Sequence, residues 1–239
     1  MKQQKQLSLY LLFAILLSVG FSSCKNVKIL RNQCFSEINM LKEQVLVVQL
    51  NSAHKKIAFL KSTNEIEEAN AIAKKIEEEN KEIKQSFKTH FDFCKVYFVE
   101  SADAKKLRKQ QYESIILTDC NNQKIKNPTF LKKGYLVATF DKLYSEQFVS
   151  ENQNNARHSL GGTKTFPALI VLDKDYIQLQ KPFPFKVITT EHHEYKDSVI
   201  ILNEKLLAFH NKYQKKQARE KRKEQRRETK RLKRESKNK

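Results

Sequence analysis

Residues 64–100 read NEIEEANAIAKKIEEENKEIKQSFKTHFDFCKVYFVE, and this stretch decides the fold because a helical pattern gives way to a strand pattern within it. Asn64 and Glu67 have the spacing of a capping box, which predicts that a helix begins there. The run over 96–99 is apolar and predicts a strand. Between them, one side chain every three or four residues falls on a single helical stripe: Ile66, Ala69, Ala73, Ile76, Asn80, Ile83 and Phe87.

The asparagine in this stripe leaves two interpretations open. A lone polar residue in an apolar stripe can fix the register of a coiled coil. The alternative is a helical arm that packs on its own neighbours or on a sheet. Upstream, residues 53–61 are predicted to be helical, so the arm covers about 53–91, and residues 35–50 predict a short helix leading into a strand at 45–50.

Downstream of the arm, short apolar runs at 114–117, 135–140, 168–172 and 176–179 predict further strands. Several are continuously apolar, which is typical of strands covered on both faces. The polar, helix-prone residues 102–112 predict a βαβ unit with the strands on either side. The fold class is therefore α/β, with a mixed and mostly buried sheet, flanking helices, a long helical arm and a basic C-terminal tail that is helical or disordered.

One part of the chain resembles a known fold. Phe166-Pro167-Ala168-Leu169-Ile170-Val171-Leu172-Asp173 is followed by a turn at 173–175, a predicted hairpin and a terminal helix, and this order resembles the second half of a thioredoxin-like fold. The resemblance does not extend to oxidoreductase chemistry, because the chain has no CxxC pair.

A second resemblance concerns aromatic motifs. Lys181-Pro182-Phe183-Pro184-Phe185 is predicted to leave any central sheet, because two prolines cannot donate ladder hydrogen bonds. Together with Phe91-Asp92-Phe93-Cys94, Val96-Tyr97-Phe98 and Ile177-Gln178-Leu179, it is similar to motifs of uncharacterised bacterial envelope proteins. That resemblance implies no activity.

The start of the chain predicts export. Lys2 and Lys5 precede a run without charge from residue 7 to 23, which is the order of a secretory signal. The run ends in Gly20-Phe21-Ser22-Ser23-Cys24, which resembles the lipobox of bacterial lipoproteins and implies lipid attachment at Cys24. The alternatives are an uncleaved membrane anchor, for which the run is at the short end of the required length, and a buried core helix.

The other end of the chain carries a concentrated positive charge. The chain has 46 Lys+Arg and 27 Asp+Glu, a net charge of +19, and residues 212–239 alone hold 15 basic and 4 acidic residues. A helix predicted to begin near Asp197 or Ser198 loses its apolar stripe after Tyr213, so the tail has nothing to bury. Its predicted contacts with an anionic lipid or wall polymer are Lys215, Lys216, Arg219, Arg222, Arg226, Arg227, Arg231 and Arg234.

The amino-acid composition disfavours several classes of enzyme. The chain has 4 glycines and lacks the GxGxxG, Walker A and GxSxG motifs, which disfavours the common nucleotide-dependent enzymes. No catalytic residue is identified, and no cofactor or metal is predicted. Cys94 and Cys120 either pair as one disulfide in an oxidising envelope or remain small buried hydrophobic residues.

Two polar clusters contain residue types that occur in functional sites. Glu191-His192-His193-Glu194 is a dense group of metal-ligand types, but it lacks the HExxH spacing, and the sequence favours a polar connection between a strand and a helix. His158 lies in the polar loop before Gly161-Gly162 and has no identifiable catalytic partner.

These observations predict a signal peptide over 1–24, a linker over 25–34, an α/β domain over 35–212 and a basic tail over 213–239. The leading hypothesis is a non-catalytic, membrane-anchored envelope lipoprotein whose tail contacts an anionic surface. The alternatives are an enzyme on an α/β or thioredoxin-like scaffold with an unidentified site, and an uncleaved membrane protein whose cytoplasmic tail binds RNA. Nucleic acid is disfavoured as a partner if the chain is exported.

Overall fold

A seven-stranded mixed sheet forms the centre of the computed structural model, which describes residues 29–144, 165–189 and 194–236. The strands are β1 (Val45–Leu50), β2 (Lys95–Glu100), β3 (Ile116–Thr118), β4 (Lys124–Lys126), β5 (Tyr135–Tyr144), β6 (Thr165–Leu172) and β7 (Lys186–Ile188), in the order β4-β3-β2-β1-β5-β6-β7. The helices are α1 (29–43), α2 (His54–Ser62), α3 (Ile66–His90), α4 (Ala104–Arg108) and α5 (Tyr195–Glu235). The predicted mixed α/β class is confirmed.

The three central strands are parallel, and the outer ones are antiparallel to their neighbours. β1 pairs with β2 on one side and with β5 on the other, with Val45 opposite both Lys95 and Tyr135. The chain reaches β2 from β1 through α2 and α3, which is the crossover that parallel strands require. β1 is buried on both faces, as its continuous apolar run predicts.

The long helices cover one face of the sheet, and the short α4 with irregular segments covers the other. α1, α3 and α5 pack on the first face through fully buried side chains such as Ile38, Phe87 and Leu202. On the second face, Leu107 of α4 and Tyr112 pack beside Val47 and Val137. The end of the predicted α3 stripe, Ile83 and Phe87, packs on this sheet, whereas Ile66 at its start is 44% exposed. Asn80 within the stripe donates from Nδ2 to the backbone carbonyl of Asn51 at 2.7 Å.

Four predictions of local structure are wrong. The capping box of Asn64 with Glu67 does not form, because the residue that caps α3 is Glu65 and no side-chain hydrogen bond is made there. Residues 102–112 do not form the crossover of a βαβ unit, because β3 runs antiparallel to β2 and only the short α4 lies between them. Residues 176–179 form no strand and make one isolated bridge between Leu172 and Gln178, while β7 takes the place beside β6. Residues 29–34 are not linker but part of α1, and Cys34 is 4% exposed in the core.

The segment over 181–185 does leave the sheet, as its prolines predict. Phe183 and Phe185 turn into the core and are 1% and 7% exposed, so the segment caps the helical layer before β7 begins. Within the described part of the chain, no helix is both long enough and apolar enough to cross a membrane.

Candidate functional site

Several predicted site residues lie outside the described residues. These are Cys24 with the preceding signal, His158 with its polar loop, and the cluster members Glu191, His192 and His193. Glu194 is described, and it is the exposed residue at which α5 begins.

The cysteines of the described ranges are free thiols. Cys34, Cys94 and Cys120 form no disulfide with one another, so the pairing of Cys94 with Cys120 is absent here. Burial raises the pKa of the Cys94 thiol to about 12, against a smaller lowering by the nearby Lys42. Burial also raises the pKa values of Cys34 and Cys120. Over residues 29–144, 165–189 and 194–236, no three or more His, Cys, Asp and Glu side chains are grouped so that they can hold a metal ion.

The point where α5 leaves the domain is held by an aromatic cluster. The Phe35 ring of α1 lies 5.4 Å from the Phe209 ring and 5.0 Å from the Tyr213 ring, and Lys216 Nζ lies 4.8 Å above it. Towards the start of α1, Arg31 lines a shallow depression together with Lys215 and other residues of α5.

Beyond this cluster α5 continues to Glu235 as a helix in solvent. Every side chain from Gln217 to Ser236 is exposed. We call residues 214–235 the cationic extension, because they include 12 basic and 4 acidic residues. At 1.5 Å per residue the extension is about 33 Å long.

The charges of the cationic extension are not spread evenly around the helix. At about 100° per residue, the four glutamates fall within an arc of about 80° on the side that continues the packed stripe of Phe209 and Tyr213: Glu220, Glu224, Glu228 and Glu235. The opposite side has an arc of about 100° with basic residues and no acid, which we call the acid-free face: Lys215, Arg219, Arg222, Lys223, Arg226, Lys230 and Lys233.

The eight predicted tail residues divide between these two sides. Lys215, Arg219, Arg222 and Arg226 lie on the acid-free face, while Lys216, Arg227 and Arg234 border it. Arg231 lies among the glutamates, and its Nε donates to Glu235 Oε1 at 2.9 Å. Lys223, Lys230 and Lys233 were missed, although the angular position of each residue along the helix is sufficient to find them.

A second candidate site is a cleft of about 830 Å³ at the carboxyl end of β1 and β2. Its walls are the start of α2, one side of α3 and the turn between β3 and β4. Ligands of open α/β sheets bind in crevices outside the carboxyl ends of the strands. This cleft lies at such an end, on the β2 side of β1, and none of the described residues of β5 lines it.

Lysines of α3 dominate the charge of this cleft. Lys81, Lys84 and Lys88 follow one another at steps of three and four, so they form one row along its wall. Lys84 Nζ donates to Asn122 Oδ1 at 2.9 Å across the cleft. Burial lowers the pKa of Lys84, and the Glu100 carboxylate opposes that shift.

The remaining polar groups at this edge are held in place by hydrogen bonds. His54 Nε2 lies 3.2 Å from Glu100 Oε2, so this carboxylate at the mouth already has a partner. Asp119 Oδ1 accepts from the backbone N–H groups of Asn121 and Gln123, both at 2.8 Å, which fixes the turn that carries Asn122. The charged groups of the cleft are therefore mainly cationic, and several of its polar groups are held in place by the protein.

Comparisons of the chain with protein family models, with curated proteins and with solved structures give no match, so the resemblances to thioredoxin-like folds and to bacterial envelope proteins remain predictions.

Proposed function

We propose that this chain is a non-catalytic, membrane-anchored envelope protein, attached through a lipid on Cys24, whose cationic extension lies along the anionic surface of the membrane that holds the anchor. The anchor and the acid-free face act together. A single lipid chain gives only weak and reversible attachment, and a basic patch beside it makes the attachment stable.

The observation that carries the proposal is the contact between α1 and the root of the extension. Phe35 packs on Tyr213, and α1 is the first described element after Cys24. The chain between Cys24 and residue 29 is too short to reach far, since each extended residue spans at most about 3.6 Å. The anchor and the first turn of the extension therefore leave the same corner of the domain.

The charge pattern supports an anionic surface as the partner. The acid-free face lies opposite the glutamate side of the helix and holds seven of the basic residues in a row about 27 Å long, from Lys215 to Lys233. Each basic residue close to an anionic membrane contributes about 1 kcal/mol of attraction before screening. The same row is also suited to nucleic acid phosphates, but an exported chain meets lipid headgroups first.

The first experiment tests the anchor. Mass spectrometry of the mature protein should find an acylated cysteine, residue 24, at its N-terminus. The Cys24→Ala chain should remain unprocessed or become soluble. A mature protein of unchanged size and unchanged membrane retention after this substitution would contradict lipid attachment.

The second experiment tests the extension. The chain without residues 1–24 is sedimented with anionic and with neutral vesicles across a salt series, with and without residues 214–239. Binding to anionic vesicles should fall steeply with salt, since exposed charges are screened beyond about 8 Å at physiological ionic strength. Deleting residues 214–239 should remove most of the binding to anionic vesicles. Equal sedimentation of the two chains would reduce the extension to a solubilising segment, and preferential binding to RNA would favour the alternative partner.

A further inference from the structure

The cleft at the carboxyl end of β1 and β2 has no part in the proposed function. It lies on α2, α3 and the β3–β4 turn, whereas the cationic extension leaves the domain beside α1. Its volume of about 830 Å³ is within the usual range of small-ligand sites. A role for the cleft can therefore be tested separately from membrane attachment.

The charges of the cleft favour an anionic ligand. Lys81, Lys84 and Lys88 outnumber the two carboxylates of the lining, those of Glu77 and Glu100. The lining therefore has an excess of one positive charge, which a bound anion would neutralise.

The kind of cation distinguishes between anions. Arginine binds planar carboxylates through two parallel hydrogen bonds, whereas lysine acts as a point charge and commonly binds phosphate. Among the described residues that line the cleft, every long basic side chain is a lysine. The amide groups of Asn121 and Asn122 line the opposite wall and can donate to phosphate oxygens.

Lys84 is the most buried of the three lysines. Its side chain is partly buried beside the Phe98 ring, with Nζ 5.8 Å from the ring centroid. Burial lowers the pKa of Lys84 and the Glu100 carboxylate opposes that shift, while Nζ donates to Asn122 Oδ1 at 2.9 Å. An anionic group placed beside Nζ would stabilise the charged form further.

We propose that this cleft binds a small ligand with a phosphate monoester group, held by Lys81, Lys84 and Lys88 with Asn122. The phosphate can belong to a free metabolite or to a lipid headgroup, since both offer the same dianionic group. No covalent step is implied.

Isothermal titration calorimetry on the full chain in a mild non-ionic detergent tests this site. The probes are inorganic phosphate, glycerol 3-phosphate, dihexanoyl phosphatidic acid and citrate. The variants are Lys84→Gln and, as a matched control, Lys74→Gln, which removes the same charge from an exposed position of the same helix that pairs with Glu78. The cationic extension is identical in all of them, so its binding of phosphate cancels in the comparison.

Lys84→Gln should weaken binding of the phosphate probes by about tenfold or more, the usual effect of losing a hydrogen bond to a charged group, and Lys74→Gln should leave it unchanged. If Lys84→Gln fails to fold, the exposed Lys88→Gln replaces it with the same expectation. Tighter binding of phosphatidic acid than of glycerol 3-phosphate identifies a lipid source, and equal binding a free metabolite. Equal affinities of the Lys84→Gln and Lys74→Gln chains, citrate binding as tight as phosphate, or no saturable binding at millimolar concentration overturns the proposal.

Discussion

Replacing Phe35 by alanine tests whether α1 holds the root of the cationic extension. The Phe35 side chain is 7% exposed and lies against both Phe209 and Tyr213. Buried Phe→Ala substitutions cost about 3–5 kcal/mol, of which each aromatic pair supplies about 0.5–1.5 kcal/mol. Because Phe35 lies at the edge of the core, we expect a loss near the lower end, about 3 kcal/mol.

Urea denaturation of the Phe35→Ala chain measures this loss, and Phe59→Ala is the matched control because Phe59 is 63% exposed on α2. The control should change the free energy of unfolding by less than about 0.5 kcal/mol. Limited chymotrypsin digestion should also cut Phe35→Ala after Phe209 and Tyr213 sooner than the unaltered chain. Unchanged stability together with unchanged cleavage would show that α1 does not hold α5 at this point.

Three further predictions follow from contacts elsewhere in the domain. Asn203→Ala should cost about 1–3 kcal/mol, because Asn203 Oδ1 accepts from the backbone N–H of Phe93 at 3.1 Å and from the preceding N–H at 3.2 Å. Urea denaturation should show no such loss for Asn39→Ala, since Asn39 Nδ2 donates only to the Glu43 side chain in a solvent-exposed hydrogen bond. Cys94 should react with a thiol reagent on the order of a thousandfold more slowly than a free thiol, since a pKa of about 12 leaves little thiolate at neutral pH; rapid labelling of the folded chain would contradict its burial. Because the pKa of Lys84 is lowered in the folded state, the protonated Lys84 destabilises the fold below that pKa, and this cost disappears as pH rises through it. The unaltered chain should therefore gain stability relative to Lys84→Met between neutral and strongly alkaline pH. Parallel pH profiles of the two free energies of unfolding would refute this.

The local sequence pattern was sufficient to predict helices that bury one face and strands that are buried on both faces. The run over 45–50 predicts β1 at the bounds it has, and the stripe from Ile66 to Phe87 predicts α3, because burial of a helix face or a central strand leaves a direct periodic signature. The aromatic segment over 181–185 was also predicted to leave the sheet. In these cases the same residues that fix local geometry also meet the core.

Pairing between distant segments could not be predicted in the same way. The antiparallel direction of β3 depends on the short α4 and its turns, and a polar stretch of that length is compatible with a crossover helix as well. The contacts of Phe35 with α5 and of Asn203 with Phe93 join residues more than 100 positions apart. The row Lys81, Lys84 and Lys88 was visible in the sequence, but the position of Asn122 opposite Lys84 depends on the tertiary fold.

We propose that the acid-free face, and not net charge alone, holds the cationic extension on an anionic membrane. An isomer of the extension with the same composition and net charge tests this proposal: Arg222→Glu with Glu224→Arg, and Arg226→Glu with Glu228→Arg, place two acids on that face. Vesicle sedimentation of the chain without residues 1–24 compares the isomer with the unaltered sequence at physiological salt. We predict that the isomer loses most of its binding to anionic vesicles, since two contributions of about 1 kcal/mol each become repulsive. Equal binding of the two chains would show that net charge alone, and not the acid-free face, determines the attachment.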